Sequence, residues 1–260
     1  MKHFALSTTP NPDGIIRLYE KDFHYLVRVR RFKTGDCFDA ILPEGTKTRV
    51  RILSTVDKIL IGECQGTEQP SPARVKLPPI ALFQGLPKGS KMDLIVRQAA
   101  ESGVSLVVPF ISEYTAGKSS AEKAKRWERI SREARQQSGS VIETEIHPVC
   151  DLDELLEYWE SIKKQYERPC GIILHQEPLE RNSFHGYLDN NPDFAVLAVG
   201  PEGGFSPKEL SLFLAAGFKP LLMGSTVLRT ETAALYGCAA IRIILLEREA
   251  WTTSLKESCS

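Results

Sequence analysis

The fold of this chain is decided by the stretch Ala195-Val-Leu-Ala-Val-Gly-Pro-Glu-Gly-Gly-Phe205 and, shortly after it, by Leu221-Leu-Met-Gly-Ser-Thr-Val-Leu-Arg-Thr-Glu-Thr-Ala-Ala234. Each stretch is typical of a short buried strand, a tight turn and the start of a helix. Neighbouring parallel strands bring such turns to the same edge of a sheet. The two turns are therefore predicted to line one pocket, in which backbone N–H and C=O groups hold a small polar ligand.

The first turn carries a complete signal for the start of a helix. Ser206 is the expected N-cap, Pro207 the first helical residue, and Glu209 the partner of Ser206 in a capping box. Phe205 and Leu210 stand at the positions of a hydrophobic staple. The glycines before them allow positive φ and close approach by a ligand. The alternative is a glycine-rich connection that binds nothing.

The second turn places a cation where it is electrostatically unfavourable. Gly224 ends the strand, Thr230 is the expected cap of a helix starting near Glu231, and Arg229 lies just before that cap. A cation beside a helix N-terminus is unfavourable unless an anionic group is near, so its position points to a function. The alternative is a salt bridge from Arg229 to Glu202 or Glu231.

The remaining sequence predicts two kinds of architecture in order. Up to about residue 70, short β-rich runs at 25–30, 37–42, 48–53 and 59–62 are separated by turns, which predicts a small barrel or curled sheet. A Pro-rich linker follows at 66–79. From residue 80 strands and helices alternate, which indicates an α/β domain with a mainly parallel sheet. Helices are predicted from the Ser90–Asp93 capping signal to Gly103, from Ser119 to about Ser138, and from Asp151 to Lys164.

Composition excludes several classes of protein. Among 260 residues, 33 Lys and Arg balance 33 Asp and Glu, so the net charge does not indicate nucleic acid, although residues 1–33 are locally basic. No signal peptide or membrane span is recognised, and the six cysteines form no C-x-x-C pair. We therefore expect reduced thiols, a cytoplasmic protein and no contact with a membrane. The five histidines lack metal-ligand spacing, so no metal is expected.

Together these motifs resemble the SPOUT-class methyltransferases that methylate N3 of a uridine in 16S ribosomal RNA, the ribosomal RNA small subunit methyltransferase E family. Val199-Gly-Pro-Glu-Gly-Gly-Phe205 and Leu228-Arg-Thr-Glu-Thr-Ala233 carry the resemblance. It extends over essentially the whole chain, through Lys2-His-Phe, His24 to Arg31 with Gly35-Asp36, Leu86-Pro-Lys-Gly-Ser-Lys-Met92, Glu101-Ser-Gly-Val104, Pro109-Phe-Ile-Ser112, Arg126-Trp127 and Gln137-Ser-Gly139.

The resemblance implies a specific organisation. Residues 1–72 would form a PUA-like RNA-binding β-barrel and residues 77–249 a SPOUT domain with a trefoil knot, followed by a polar tail at 250–260. S-adenosyl-L-methionine would bind in the knot, and the enzyme would act as a homodimer on 16S rRNA or the small ribosomal subunit. Knots are otherwise almost absent from proteins, so only the resemblance implies one here.

The resemblance also implies roles for individual residues. Arg229 would stabilise negative charge on a base oxygen, and Glu202 and Glu231 are the nearest candidates to take the N3 proton, between which the sequence does not choose. His175 is expected to be a hydrogen-bonded structural residue. The cofactor would lie against Leu174, Val199, Gly200, Gly203, Gly204, Met223, Gly224 and Leu228. RNA would contact Lys2, Arg28, Arg30 and Arg31, with Arg28 and Arg30 on one face of a strand and Arg31 on the other.

Some positions depart from the family pattern. Ser140 and Ser225-Thr226 stand where the family usually has basic residues, so two cations that would contact RNA are missing. A further basic helix face, Lys125, Arg129 and Arg132, lies opposite a predicted buried stripe of Trp127, Ile130 and Ala134. Two other functions remain open: a ribose 2′-O-methyltransferase of the same fold, and a non-catalytic RNA-binding assembly factor.

Overall fold

A computed structural model describes residues 4–6, 8–43, 46–68, 77–115, 121–177 and 184–257. The chain forms two compact units. One consists of Met1–Arg74 with Arg135–Ile142, and the other of Val75–Ala134 with Glu143–Ser260. The domain limits at 72 and 77 stay predictions.

The N-terminal unit is built on a five-stranded sheet. Its strand order is β1 (Phe4–Ala5), β3 (Cys37–Ile41), β4 (Lys47–Val56), β5 (Ile59–Glu68) and β2 (Ile15–Leu18). Neighbouring strands are antiparallel except β1 and β3. Alternate residues such as Val50, Ile52 and Leu60 point into one apolar core. The strands predicted at 37–42, 48–53 and 59–62 are confirmed, and β2 was not predicted.

The predicted strand at 25–30 is wrong, because this segment is helical. A short helix α1 (Glu20–Phe23) continues into a π-helix (His24–Val29), in which the Arg30 N–H donates to the Tyr25 carbonyl at 2.9 Å. Phe23 and Leu26 are buried and Val27 is partly buried. A spacing of three and four residues fits a helix face, whereas a strand would bury every second residue. Arg28 and Arg30 therefore do not alternate on a strand face.

The second unit contains a six-stranded sheet in which every pair is parallel. The order is β11 (Lys219–Leu221), β9 (Pro169–Leu174), β10 (Phe194–Val199), β6 (Ile80–Gly85), β7 (Leu106–Phe110) and β8 (Glu145–Ile146). The predicted α/β class with a mainly parallel sheet is confirmed. Strand β10 lies between β6 and β9, so strands distant in sequence end side by side.

Helices cover both faces of this sheet. On one face Met92 of α2 (Lys91–Ser102), Trp127 of α3 (Ala121–Ser138) and Ile241 of α7 (Thr230–Glu257) pack on the strands, together with α5 (Phe184–Leu188). On the other face Trp159 of α4 (Leu152–Gln165) and Phe213 of α6 (Pro207–Ala215) do the same. Successive strand residues point to opposite faces, so strands buried on both sides are almost entirely apolar, with Gln84 of β6 as an exception.

Most predicted helix limits are confirmed. Asp151 forms a capping box with Glu154 at the start of α4, and Gly103 ends α2 with φ +75°. The Ser90–Asp93 capping box is wrong, because the Asp93 carboxylate accepts hydrogen bonds from Arg126 instead. Residues 116–120, where the α3 start was predicted, lie outside the described residues.

The last helix is longer than expected. It runs to Glu257, into the stretch predicted as a polar tail, and no glycine or proline interrupts the sequence after Cys238. No helix in the described part of the chain is long and apolar enough to cross a membrane.

Candidate functional site

A cavity of about 400 Å³ opens where β9, β10 and β11 end, between the two glycine turns. Parallel α/β sheets bind ligands at this edge, outside the carboxyl ends of their strands. The lining is partly apolar, from Leu174, Val199, Phe205, Leu222, Met223, Val227, Leu228 and Ala233. Polar or charged side chains and turn residues complete it: Lys91, His175, Gln176, Gly200, Pro201, Glu202, Gly203, Gly204, Thr226, Arg229 and Thr230.

The first turn is tight because its backbone segments touch. A Cβ on Gly200 would lie 2.8 Å from the Gly204 carbonyl carbon, and Gly204 has φ +71°. Only glycine satisfies both conditions without strain. After the turn, the predicted capping box is confirmed: the Glu209 N–H donates to Ser206 Oγ at 3.3 Å, and the Ser206 N–H donates to the Glu209 carboxylate at 2.8 Å.

The carboxylate of Glu209 also connects this turn to the end of β7. It is buried, and it accepts a hydrogen bond from Ser112 Oγ at 3.1 Å and one from the Glu113 N–H at 2.8 Å. Burying a carboxylate is costly unless such donors surround it. The first turn is therefore held rigidly from two sides.

The second turn is fixed by a hydrogen bond that was not predicted. The Thr230 hydroxyl, expected to cap α7, instead donates to the Gly200 carbonyl at 2.7 Å and accepts from Gln84 Nε2 at 2.9 Å. The cap prediction is thus wrong. Thr230 is buried beside the first turn, so its hydroxyl reaches that carbonyl.

Glu202 is surrounded by donors at the cavity wall. Its carboxylate accepts from Lys91 Nζ at 2.6 Å and from the Lys88 N–H at 3.1 and 3.2 Å. Partial burial opposes ionisation, but the hydrogen bonds from Lys91, the Glu202 and Lys88 backbone, and the Lys91 charge outweigh it, so the pKa of Glu202 is lowered. Glu202 is therefore ionised at neutral pH.

Arg229 is exposed at the cavity wall, and within the described residues it forms no ion pair. The alternative of a salt bridge to Glu202 or Glu231 is therefore not found; Glu202 pairs with Lys91 instead. A free guanidinium beside the start of α7 is the arrangement expected where an anionic group binds.

The structure brings most of the predicted site residues together. Nine of the eleven predicted catalytic and cofactor residues line the cavity: Leu174, Val199, Gly200, Glu202, Gly203, Gly204, Met223, Leu228 and Arg229. Gly224, with φ +136°, and Glu231, in the first turn of α7, are not among the lining residues. His175 lines the cavity, and its Nδ1 accepts from the Glu177 N–H at 3.2 Å.

Sequence reasoning missed several residues of the site. Lys91 lines the cavity, and Gln84 donates a hydrogen bond to the lining residue Thr230. Both lie far from the two turns in sequence, and the matched segment 86–92 contains Lys91 but not Gln84. Thr226 lines the cavity in place of the basic residue expected there. No group of three or more His, Cys, Asp or Glu side chains in the described chain is arranged to hold a metal ion.

The predicted RNA contacts lie in the N-terminal unit, apart from Lys2, which is outside the described residues. Arg28, Arg30 and Arg31 are exposed on and just after the π-helix, together with His24. The Tyr25 ring, half-exposed, stacks on Phe4 with centroids 5.5 Å apart. This segment thus carries exposed cations and a partly exposed aromatic ring close together in sequence.

A doubly covered parallel sheet, with a cavity at its strand ends, defines an α/β protein with a candidate site for a small ligand. Comparison with known proteins specifies the class. The model of the RNA methyltransferase domain family matches residues 75–242. The chain is 32% identical to the ribosomal RNA small subunit methyltransferase E of Synechocystis, over 90% of this chain and 74% of that one. It is 36% identical to the Aquifex aeolicus protein of the same name, over 79% of this chain and 85% of that one.

Solved structures share the fold. A ribosomal RNA small subunit methyltransferase E from Neisseria gonorrhoeae, bound to S-adenosyl methionine, superposes with a TM-score of 0.80 at 24% identity, over 94% of this chain and 98% of that one. A probable rRNA methyltransferase from Porphyromonas gingivalis superposes with a TM-score of 0.73 at 26% identity, over 95% of this chain and 99% of that one. The chain belongs to the RNA methyltransferase family.

Proposed function

We propose that this protein transfers a methyl group from S-adenosyl-L-methionine to N3 of a uridine in 16S ribosomal RNA. The observation that carries the proposal is the cavity between the two glycine turns. Relatives that match most of the chain are named ribosomal RNA small subunit methyltransferase E, and one structural neighbour holds the cofactor.

The residues at the cavity fit this cofactor. The first turn lines the cavity with three glycines, Gly200, Gly203 and Gly204, and the adjoining wall is apolar at Leu174, Met223 and Leu228. Backbone groups and apolar side chains suit an adenosine, which is planar and carries polar edges. When bound, S-adenosyl-L-methionine supplies a methyl group on a sulfonium, ready for in-line displacement. The chain's own task is then positioning.

Arg229 is proposed to stabilise the developing negative charge on the uracil. Its guanidinium is exposed at the cavity and forms no ion pair within the described residues. A preorganised cation near a developing charge is among the largest contributions to catalysis.

The geometry gives less support to either glutamate as the acceptor of the N3 proton. Donors occupy both oxygens of Glu202, and its lowered pKa makes it a weak base. Glu231 is not among the lining residues. We propose instead that solvent at the open cavity takes the proton, while Glu202 holds Lys91 in place.

The exposed surface around Arg28, Arg30 and Tyr25 is proposed to bind RNA. Cations contact phosphate, and an aromatic ring stacks on an unpaired base. N3 lies on the Watson–Crick edge, so the target uridine must be unpaired or flipped out. We retain a PUA-like barrel for the N-terminal unit, a cytoplasmic location and a trefoil knot around the two turns as parts of this proposal.

A homodimer is also proposed, supported by an apolar stripe along α7. Leu235, Tyr236, Ile243 and Leu246 are each at least 36% exposed and recur at helical spacing. Ile243→Glu should convert a dimer to a monomer in analytical ultracentrifugation, whereas Val56→Glu, at an exposed apolar residue of the N-terminal unit, should not. A wild-type protein that sediments as a monomer would remove this part of the proposal.

Two measurements test the proposed function. Calorimetry should detect binding of S-adenosyl-L-methionine. No binding at millimolar ligand would exclude the proposed methyltransferase activity. Methylation of small-subunit particles compared with naked RNA would then identify the form of the substrate. Binding of RNA without binding of the cofactor would favour an assembly factor.

A further inference from the structure

Gln84 is a fully buried amide at the end of β6, and the cavity does not include it. Its Nε2 donates to the Gly85 carbonyl at 2.9 Å, to Thr230 Oγ1 at 2.9 Å and, more weakly, towards the Val199 carbonyl at 3.5 Å. Carbonyl oxygens only accept, so the NH₂ group must face them and the orientation of the amide is determined.

The direction of the next hydrogen bond follows from the first. The Thr230 hydroxyl has one proton, which it donates to the Gly200 carbonyl at 2.7 Å, and it therefore accepts from Gln84. Thr230 is 5% exposed. A buried relay thus runs from Gln84 through Thr230 to Gly200, and hydrogen bonds in such a chain strengthen one another.

This relay joins three segments that are far apart in sequence. Gly200 begins the first glycine turn, and Thr230 directly follows Arg229 in the second. At the third segment, a Cβ on Gly85 would lie 2.5 Å from Pro201 Cδ, so β6 already touches the first turn. Because Gly200, Arg229 and Thr230 all line the cavity, the relay connects its two walls.

We propose that Gln84 and Thr230 form a positioning pair that fixes the distance between the two turns, and so places the Gly200 backbone and Arg229 for the reaction. The proposal rests on the proposed function. Neither side chain needs to touch the reacting atoms. If the two side chains only filled space, apolar residues of equal size could replace them. Positioning requires the Thr230 hydroxyl and the Gln84 amide.

Thr230→Val tests the pair most cleanly, because valine keeps the shape and removes the hydroxyl. The Gly200 carbonyl would lose its bond from Thr230, the Gln84 amide would lose one of its acceptors, and the turns would separate. We expect the Kd of S-adenosyl-L-methionine to rise about tenfold, with a fall of similar size in kcat. Thr230→Ser restores the hydroxyl, so its Kd and kcat should stay within about twofold of wild type.

Gln84→Leu and the double variant, Gln84→Leu with Thr230→Val, complete a double-mutant cycle. If the relay acts as a unit, the double variant should be little worse than Thr230→Val alone. Amide hydrogen exchange of the unliganded proteins gives a readout that needs no cofactor. Thr230→Val should accelerate exchange around 200–206 and 226–231 and leave β4 and β5 unchanged.

The possible results are distinguishable. If Thr230→Val lowers the unfolding temperature but the folded protein keeps wild-type Kd, kcat and exchange in the turns, the pair is merely structural and the proposal is overturned. If wild type fails to bind the cofactor, the proposed function falls, and the positioning role falls with it. Local exchange confined to the turns, together with a raised Kd that serine restores, would establish the pair.

Discussion

Among single residues, Arg229 carries the largest proposed share of catalysis. Arg229→Ala removes the only charge proposed to stabilise the uracil anion, so methyl transfer should fall at least about a hundredfold. The Kd of S-adenosyl-L-methionine should change only several-fold, because the backbone turns remain. Radiolabelled methyl transfer and calorimetry measure the two quantities, with Lys208→Ala, an exposed cation on α6, as control. Near-normal turnover would refute the role.

The lowered pKa of Glu202 makes a prediction about stability and pH. In the folded protein the pKa of Glu202 lies below its ordinary value of 4.5, so folding favours the ionised carboxylate. Its contribution is therefore complete above that value and is lost as pH falls through the lower folded pKa. Glu202→Gln should reduce the free energy of unfolding at pH 7 by less than about 1 kcal/mol, since the pair with Lys91 is partly exposed.

The difference between Glu202→Gln and wild type should shrink as the solution is acidified. Urea unfolding at several pH values measures it, and Glu167→Gln, at an exposed glutamate outside the cavity, is the control. A difference that grows towards acid pH would mean that the Lys91 contact does not stabilise the ionised form.

At the scale of elements, α7 approaches the sheet through a glycine. A Cβ on Gly237 would lie 2.5 Å from Leu197 Cδ2, and Leu197 is fully buried. Alanine gains about 1 kcal/mol of helix propensity, but overpacking costs about 1–3 kcal/mol. Gly237→Ala should therefore be neutral to destabilising in chemical unfolding. The double variant with Leu197→Ala should lose less than the sum of its single changes; clear stabilisation by Gly237→Ala alone would show that the contact is loose.

Elements with local signals were predictable from the sequence. The capping box at Ser206 depends on residues three apart and is confirmed, as is the helix predicted to start at Asp151. The π-helix at His24–Val29 was mistaken for a strand, because alternating valines and arginines mimic period two while tertiary packing buries Phe23 and Leu26.

The two glycine turns of the candidate site were predictable from the sequence, whereas the residues that connect them were not. Gln84 was missed, since nothing near it in sequence shows that β6 ends beside residues 200 and 230. The same long-range pairing, β10 between β6 and β9, decides which residues meet at the cavity. Such pairings come from the assembled sheet and leave no local pattern.

At the scale of the whole molecule, the N-terminal unit is expected to supply affinity for RNA. Arg28→Glu with Arg30→Glu should weaken binding of small-subunit RNA and flatten its dependence on salt, because fewer counterions are released. A filter-binding titration at several salt concentrations measures both effects. Lys164→Glu with Lys208→Glu changes the net charge equally at exposed residues of the other unit and is the matched control. Unchanged affinity in the Arg28 and Arg30 variant would place the RNA surface elsewhere.

The chemical product distinguishes methylation of the base from methylation of the ribose. Small-subunit RNA from a reaction with S-adenosyl-L-methionine, digested to nucleosides and analysed by mass spectrometry, tests the proposed function directly. We expect a single new nucleoside, uridine methylated on the base at N3, which Arg229→Ala fails to produce. Methylation on the ribose 2′-oxygen, or no methylated nucleoside at all from a protein that binds the RNA, would contradict the proposed function.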